Sequence, residues 1–370
     1  MIFKKIINII FLFVVFTLTF ATGFYMLSPQ FGKNPSKNQK IHYRTFSNYN
    51  VDGFNNSQYY QSITGKMTFS EFFKSDTTRR PKSDLEHDRI DFETFVKAAE
   101  GEIKISWLGH SAFILNINGA IVLLDPMLGE YASPIPISSM KRYSKNIGLF
   151  TEEIDSIDVV VYSHDHYDHL DYPTVQEIKD KVKTFIVPYG LANHLTRWGV
   201  NENRISELNW EESKLINGIE FVCLEALHFS GRGIGNRNST LWSSWAIKSD
   251  YGKIYFSGDS GYGRHLKKIG EVHGPFDLSL VDCGQYNTAW KYSHMFPEDA
   301  VQASKDLRSK YFMPIHWGGF TLSTHPWTEP VSEAIKYAKI KDQLYVTPRL
   351  GQVIYLDSIV DINQEYWWRN

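Results

Sequence analysis

The apolar positions of this 370-residue chain divide it into three parts with different spacing. A run without any charged residue extends from Ile6 to Leu27, and residues 28–100 after it are polar, with little regular hydrophobic period. From Ile103 onward, short runs of branched and aromatic residues are separated by turn residues, which is typical of β-strands. Regular structure is therefore predicted to begin near residue 102.

The predicted strands form two groups with helical segments between and after them. The strands are Ile103–Trp107, Ala112–Ile117, Ile121–Leu124, Val159–Tyr162, Phe185–Val187, Ile219–Leu224, Trp242–Ile247, Lys253–Phe256, Leu278–Val281 and Tyr311–Pro314. The helices are Thr174–Val182, Leu191–Trp198 and Pro297–Leu307. Asn118-Gly119 between the second and third strands predicts a hairpin turn. The order predicts an α/β fold in which two sheets pack together with helices on the outside.

The N-terminal apolar run follows Lys4-Lys5 and is long enough to cross a bilayer as a helix of about 20 residues. A secretory signal is the alternative, but its apolar core would normally cover about 7–15 residues. Ala21-Thr22-Gly23 is also a poor cleavage site. The run therefore favours an uncleaved membrane anchor, which would locate the protein in the cell envelope. The side of the membrane stays open, because basic residues both precede and follow the run.

Composition narrows the function classes. The chain is 42% hydrophobic with a formal net charge of −2, which gives no indication of nucleic-acid binding. Its two cysteines, Cys223 and Cys283, lie in apolar runs, so neither a disulfide framework nor a zinc knuckle is predicted. An aromatic content of 15% is compatible with a large core or with a surface that meets lipid.

The stretch Ser163–His169 carries the strongest chemical signal. It contains three histidines and two aspartates directly after a buried strand, in the pattern His-x-His-x-Asp-His. His164 and His166 project to the same side of an extended chain, while Asp168 and His169 follow on a turning segment. Polar surface loops are normally built from other residues, so the cluster predicts a metal-binding loop that could serve two neighbouring ions.

Three further candidates follow predicted strands elsewhere in the chain, namely His228, Asp259 and His316. Strand ends that converge on one edge of a sandwich are where a site is assembled, although each residue alone would more often be structural. With the histidine loop they make five histidines and two aspartates. This set of nitrogen and oxygen donors without thiolate suits zinc and permits manganese or iron.

Segments spread from Ile103 to Tyr355 carry a resemblance to a known family. They are Trp107-Leu108-Gly109-His110-Ser111, Leu124-Asp125-Pro126, Ser163–Tyr172, Trp242-Ser243-Ser244-Trp245, Ser257–Tyr262, Gly274–Leu278, Lys291–His294 with Pro297–Ala300, and His316-Trp317-Gly318. In this order they resemble the metallo-β-lactamase-fold hydrolases and, more narrowly, the N-acylphosphatidylethanolamine-hydrolysing phospholipase D family. The resemblance implies a four-layer αββα sandwich.

The resemblance also implies a role for each candidate. It assigns His164, His166 and His228 to one metal ion, and Asp168, His169 and His316 to another. Asp259 would bridge two Zn²⁺ ions, with Mn²⁺ or Fe²⁺ possible, and Asp165 would act beside them without binding metal. His294 would be a catalytic residue that contacts the substrate, and Trp317 and His325 are further candidate substrate contacts. His110 is expected to be a structural residue under the site.

The implied activity is a phosphodiesterase of the phospholipase D type that converts N-acylphosphatidylethanolamine to phosphatidate and N-acylethanolamine at a membrane. Ser293 departs from the glutamine of the mammalian members, which leaves fine substrate recognition open. The alternatives are a hydrolase of the same fold acting on a lactone, another phosphodiester or a sugar phosphate, and a non-catalytic envelope protein. The oligomeric state is open.

The expected organisation has four parts. Residues 1–30 form an anchor or signal, and residues 31–100 form a polar spacer or wrapping extension. Residues 101–358 form the metallo-β-lactamase-like hydrolase domain, and residues 359–370 form a C-terminal tail.

Overall fold

The computed structural model describes residues 2–51, 53–68, 71, 76–359 and 366–369. Its helices are α1 (Ile2–Leu27), α2 (Lys37–Tyr43), α3 (Phe92–Val96), α4 (Tyr172–Ile178), α5 (Ala192–Arg197), α6 (Arg264–Val272), α7 (Pro297–Asp306) and α8 (Glu329–Ile340). Its strands β1 to β8 are Tyr49–Asn50, Gly53–Phe54, Ile103–Trp107, Phe113–Ile117, Ala120–Leu124, Ile157–Val161, Val182–Pro188 and Ile205–Leu208. Strands β9 to β16 are Ser213–Ile216, Ile219–Leu224, Ser244–Ser249, Gly252–Phe256, Phe276–Asp282, Ser309–Ile315, Leu344–Tyr345 and Val353–Tyr355.

Two seven-stranded mixed sheets form the centre of the fold. The first has the order β16-β3-β4-β5-β6-β7-β8, and the second has the order β15-β14-β13-β12-β11-β10-β9. In the first sheet, β5, β6, β7 and β8 are parallel neighbours. In the second sheet, β12, β13, β14 and β15 are parallel neighbours. The carboxyl ends of β5 and β6 therefore share one edge of their sheet, as those of β12, β13 and β14 do in theirs.

Three clusters of buried apolar side chains fill the space between the layers. The cluster between the sheets takes Trp107 and Leu115 from the first sheet and Phe221 and Trp245 from the second, all buried. A second cluster covers the outer face of the first sheet and includes Val175 of α4. A third lies between the second sheet and helices α6, α7 and α8. The predicted four-layer αββα sandwich is confirmed.

The predicted strands and helices are present, with boundaries that differ by a few residues. The Asn118-Gly119 turn joins β4 to β5, and both residues have positive φ, 49° and 91°, as a type I′ hairpin turn requires. Helix α4 begins two residues before its predicted start, because the Asp171 side chain accepts a hydrogen bond from Thr174 N at 3.0 Å and caps the helix there.

The chain before β3 is not detached from the sandwich. By length and composition, Phe3–Leu27 is apolar enough to cross a membrane, and its most apolar window is entirely exposed. Farther along, Thr64 N donates to Ala289 O at 2.6 Å, so the polar extension contacts the domain. Within the C-terminal tail, residues 360–365 and 370 lie outside the described residues, while Trp368 is buried 5.6 Å from the ring of Trp317.

A fully buried histidine makes the stability of the fold depend on pH. His265 of α6 is 2% exposed, accepts a hydrogen bond from Gln58 Nε2 at 2.9 Å and lies 3.2 Å from Ser260 Oγ. Burial lowers its pKa from 6.5 to about 3. Its contribution to stability is therefore fully present above pH 6.5 and is lost as the pH falls toward 3, because only the unfolded chain takes up the proton.

We expect replacement of His265 by Gln to flatten the acid dependence of stability. As the pH falls from 6.5 to 4.5, the free energy of unfolding of the wild-type protein should drop relative to the variant by up to about 1.4 kcal/mol per pH unit. Urea unfolding of the detergent-solubilised chain at several pH values measures this difference. The exposed His42 of α2, changed to Gln, is the control. Parallel pH profiles for wild type and His265→Gln would contradict the prediction.

Candidate metal centre

The sandwich gathers the candidate residues at one edge because the strands that carry them run in the same direction. The histidine loop follows β6, and Asp125 follows the neighbouring parallel strand β5. In the second sheet, β10 is antiparallel to β11, which is antiparallel to β12, so β10 and β12 point the same way. His228, Asp259 and His316 follow β10, β12 and β14.

The first cluster consists of three imidazoles whose ring nitrogens converge. His164 Nε2 lies 2.9 Å from His166 Nδ1, which lies 3.3 Å from His228 Nε2. Together with Asp259, these residues offer ligand atoms that all lie within 4.8 Å of one another. Two of the histidines are buried and His166 is half-buried.

The second cluster contains His110, Asp168, His169 and His316, again with ligand atoms within 4.8 Å of one another. Asp259 lies between the two clusters. Its Oδ2 is 3.6 Å from His164 Nε2, and its Oδ1 is 3.0 Å from His169 Nε2 and 3.1 Å from His316 Nδ1. One carboxylate therefore faces both groups of histidines.

Three buried atoms in this arrangement make no hydrogen bond within the part of the chain that the structure describes, namely Nδ1 of His110, Nε2 of His169 and Oδ1 of Asp259. The His169 and Asp259 atoms face each other at 3.0 Å without the geometry of a hydrogen bond. Leaving such groups buried without a partner costs about 1–3 kcal/mol each, and more for a charge. A cation held between the clusters would satisfy the atoms of His169 and Asp259, and a donor set of imidazole and carboxylate fits zinc, manganese or iron. The residues present thus fit a pair of divalent ions.

Hydrogen bonds from neighbouring side chains orient the second cluster. His169 Nδ1 donates to Asp125 Oδ2 at 2.6 Å, and Asp125 Oδ1 also accepts from Ser163 N at 2.6 Å. His110 Nε2 donates to Asp168 Oδ2 at 2.9 Å. Such contacts fix the ring orientation and tautomer of a ligating histidine. The sequence alone did not predict this role of Asp125, although Leu124-Asp125-Pro126 was one of the segments that carry the family resemblance.

Unusual backbone conformations place these groups. His110, Asp125 and His316 have positive φ angles of 56°, 38° and 66°, a region that non-glycine residues seldom adopt. Strain of this kind is typical of functional sites and persists because the surrounding structure holds it. Gly258, immediately before Asp259, has φ 53°, and a Cβ there would lie 2.5 Å from Ser163 Cβ. The turn that presents Asp259 therefore requires glycine.

The electrostatics differ between the histidines. Burial lowers the pKa of His164 and of His228 well below the ordinary value, so both are neutral and able to donate a lone pair. Burial also acts to lower the pKa of His169, but the carboxylates of Asp259 and Asp168 outweigh it and raise that pKa well above 6.5. A metal ion binding to His169 would therefore have to displace a proton.

His294 lies beside the clusters and has its own carboxylate partner. Its Nδ1 donates to Asp282 Oδ2 at 2.9 Å, and its ring stacks on that of His316 at 4.9 Å. Burial acts to lower the pKa of His294, but Asp282 outweighs it and raises the pKa. The sequence did not predict a role for Asp282, because this residue is the last of β13 and belongs to none of the motifs described above.

A cavity of about 340 Å³ opens over both clusters and His294. Its wall is partly apolar, through Ile63, Trp290 and Leu322 and through Phe229, whose ring lies 4.7 Å from those of His166 and His228. Arg237 is the cation on this wall, with its guanidinium 4.0 Å from the ring of Phe229. The cavity therefore combines polar chemistry at its floor with apolar and cationic groups at its rim.

Five predicted site residues lie outside this cavity lining: His164 and His169 are buried in the two clusters, and the other three make contacts elsewhere. The carboxylate of Asp165 is buried and bonds to Gly231 N at 2.7 Å and His194 Nε2 at 3.3 Å. Trp317 is buried in the core, 5.1 Å from the ring of Trp107. His325 stacks on Tyr286 at 4.5 Å. The structure thus gives Trp317 and His325 packing contacts, and substrate contact by them stays an unsupported prediction.

Comparisons with known proteins agree with this geometry. A family model described as a Beta-lactamase superfamily domain matches residues 121–317. An uncharacterized protein of Mycobacterium tuberculosis is 41% identical over 272 residues, which are 72% of this chain and 72% of that protein. The N-acyl-phosphatidylethanolamine-hydrolyzing phospholipase D 1 of Caenorhabditis elegans is 34% identical over 273 residues, 69% of this chain and 76% of that enzyme.

Among solved structures, Igni18, a metallo hydrolase from Ignicoccus hospitalis, superposes with a TM-score of 0.52. The match covers 69% of this chain and 98% of that chain at 20% sequence identity. At this identity the likeness concerns the fold, and it agrees with the sandwich described above.

Replacement of Asp259 by Ala should abolish binding of both metal equivalents, because this carboxylate faces both clusters and its loss removes the negative charge that both proposed ions would share. Metal content by inductively coupled plasma mass spectrometry after dialysis measures the effect. Asp250→Ala, at an exposed turn of the same sheet, is the control and should retain the wild-type metal content. An Asp259→Ala protein that keeps two equivalents would show that the carboxylate is not shared.

Proposed function

Because this chain belongs to the beta-lactamase superfamily and is a metal-dependent hydrolase, we propose that it is a phosphodiesterase of the phospholipase D type. Its proposed substrate is N-acylphosphatidylethanolamine, and its proposed products are phosphatidate and N-acylethanolamine. The observation that carries the proposal is the position of Asp259, whose two oxygens face two separate groups of histidines at the floor of one cavity.

In the proposed centre, His164, His166 and His228 form a first metal position. Asp168, His169 and His316 form a second metal position, and Asp259 is shared. Divalent ions bound there, zinc by preference, would supply an activated water and stabilise the charge that develops on a phosphodiester. The chain's own residues then have to bind the lipid, orient its phosphate and deliver a proton to the leaving oxygen.

His294 is suited to deliver that proton. Its Nδ1 is held by Asp282, which leaves Nε2 as the nitrogen available to a substrate in the cavity. Its raised pKa favours the protonated ring, with Asp282 stabilising the charge against burial. When the P–O bond to the N-acylethanolamine breaks, a proton from His294 would neutralise the leaving alkoxide.

The rim supports a lipid substrate that carries a phosphate. Arg237 offers a cation to an anionic group, and the apolar side chains of Ile63, Trp290 and Leu322 offer surface to an acyl chain. Ile63 is 69% exposed. The exposed apolar helix α1 supports a location at a membrane, where such a substrate is found. The relative from Caenorhabditis elegans supports the same substrate by its name.

The proposal predicts a defined set of products. The purified full chain, loaded with zinc and mixed with N-acylphosphatidylethanolamine in detergent micelles, should release N-acylethanolamine and phosphatidate, which mass spectrometry identifies. In ¹⁸O-labelled water the label should enter phosphatidate, because water attacks phosphorus. Intact lipid at saturating zinc would contradict the substrate assignment. Diacylglycerol would contradict the bond assignment, and label in the N-acylethanolamine would contradict attack at phosphorus.

Replacement of His294 by Ala should lower the turnover number about 10²- to 10⁴-fold while both metal equivalents remain, because His294 moves a proton without belonging to the proposed ligand set. Turnover and metal content are measured on the same sample. His273→Ala, a histidine that follows α6, is the control for loss of an imidazole. Loss of metal from His294→Ala would assign the residue to metal binding instead.

A further inference from the structure

Apart from Ser163 Oγ, which lies 2.9 Å from His164 Nδ1 and bonds Asp125, the two proposed metal positions obtain their supporting hydrogen bonds from different parts of the chain. In the second metal position, the side chains of Asp168, His169 and His316 bond to or lie against His110, Asp125 and Ser111, respectively. These three supports lie between β3 and β4 or directly after β5. The sandwich itself therefore holds the second position.

The first metal position is held in part by the segment that precedes the sandwich. Asn56 makes two hydrogen bonds to the backbone of His228: its Nδ2 donates to His228 O at 2.8 Å, and its Oδ1 accepts from His228 N at 3.2 Å. Trp242 Nε1 donates to the same Oδ1 at 3.1 Å. The side chain of a residue far from the sandwich in sequence thus fixes the backbone of a proposed ligand.

A second contact from the same segment reaches His228 through Ser293. The His228 ring donates from Nδ1 to Ser293 O at 3.0 Å. The hydroxyl of Ser293 lies 2.9 Å from the hydroxyl of Tyr60. Tyr60 therefore braces the residue that orients the His228 ring.

The loop that carries His164 and His166 is linked by hydrogen bonds to the residues that follow α1. Asp165, between these two histidines, bonds to His194 Nε2 at 3.3 Å, and His194 Nδ1 accepts from Lys33 N at 2.9 Å. Arg232 makes a parallel connection: its Nη1 donates to Asp165 O at 2.6 Å, and its Nε donates to Gln30 O at 3.0 Å. His194 and Arg232 are both buried.

The same surface binds the last turn of α1. Arg197 Nη2 donates to Met26 O at 2.9 Å and to Ser28 O at 3.2 Å, and Trp198 Nε1 donates to Pro29 O at 2.7 Å. These donors satisfy carbonyl groups that a helix end leaves free. Hydrogen bonds of 2.6–3.3 Å therefore connect the end of the apolar helix to Asp165, and they range from exposed at Met26 to buried at Asp165.

We propose that residues 30–33 and 56–60 selectively stabilise the first metal position, with His194 and Asn56 as positioning residues. The inference rests on the two-metal centre of the proposed function. Loss of a group that orients a metal ligand typically weakens metal binding about 10- to 100-fold. Because the second position has its supports within the sandwich, loss of these contacts should leave it filled. Occupancy of one metal position thus depends on the segment that joins α1 to the catalytic fold.

The test compares metal stoichiometry in full-length variants. Asn56→Ala and His194→Phe are titrated with Zn²⁺ against a chelating indicator, and thermal unfolding is followed by circular dichroism. Each variant should bind one equivalent as tightly as wild type and the other about 10- to 100-fold more weakly. Asn48→Ala is the matched control, because Asn48 belongs to the same segment but bonds Asn209 at 2.8 Å, and it should bind both equivalents normally.

Two further variants separate positioning from general destabilisation. His194→Gln should restore both equivalents, because its amide can donate to Asp165 and accept from Lys33 N. Asn56→Asp, which keeps the shape and one of the two bonds, serves if Asn56→Ala does not fold, and it should weaken the same single equivalent. Ser111→Ala, which removes the contact to His316, should weaken the other equivalent, and the Asn56→Ala/Ser111→Ala double variant should weaken both.

The outcomes discriminate clearly. Both equivalents weakening together in Asn56→Ala and His194→Phe, or neither weakening, would overturn the inference while leaving the two-metal centre intact. Fewer than two equivalents in the wild-type protein would overturn the proposed centre itself. Because metal binding is measured without lipid, neither result depends on the substrate assignment.

Discussion

The site depends on a carboxylate that is buried between imidazoles. Asp259 is 3% exposed, and a charge in that position is tolerated only if it is paired on every side. Its two oxygens are shared between the histidines that follow β6, β10 and β14, so strands from both sheets have to end within a few ångströms of one residue. The sandwich meets this requirement through close backbone approach. A Cβ at Gly258 would collide with Ser163, and one at Gly284 would lie 1.8 Å from His316 O.

The proposed ligands depend in turn on hydrogen bonds from more distant residues, and these residues come mainly from two different parts of the chain. The groups that orient the second metal position belong to the first sheet's turns, where His110 and Asp125 adopt positive φ angles. The groups around the first position reach back to Asn56, Lys33 and the end of α1. The polar segment before the sandwich also contributes Ile63 to the cavity wall. An apparent spacer is therefore part of the candidate site, and it links the chemistry to the apolar helix.

Much of the fold was predictable because the signals are local. Runs of branched apolar residues predicted the strands that face the inter-sheet core, and Asn118-Gly119 predicted the hairpin between β4 and β5. The short edge strands β8 and β9 were not predicted, because a strand with little buried surface has little hydrophobic pattern. Helices α6 and α8 were not predicted either. The sequence carried a signal for α8, because its buried residues recur at helical spacing, namely Val331, Ala334, Ile335 and Ala338. The substrate contacts inferred for Trp317 and His325 lack structural support, since both rings pack against other aromatic groups outside the cavity lining.

By itself, the sequence determined the chemistry of the site and the layering of the fold. Four of the seven proposed donors lie together in the His-x-His-x-Asp-His loop, the other three each follow a predicted strand, and the strand pattern repeats along the chain. Only the tertiary structure decided how the donors are held. Asn56 with His228, Asp125 with His169, and Lys33 with His194 are pairs separated by 172, 44 and 161 positions. Such pairs have no periodicity and no motif, because they form only when two sheets and the preceding segment meet at one edge.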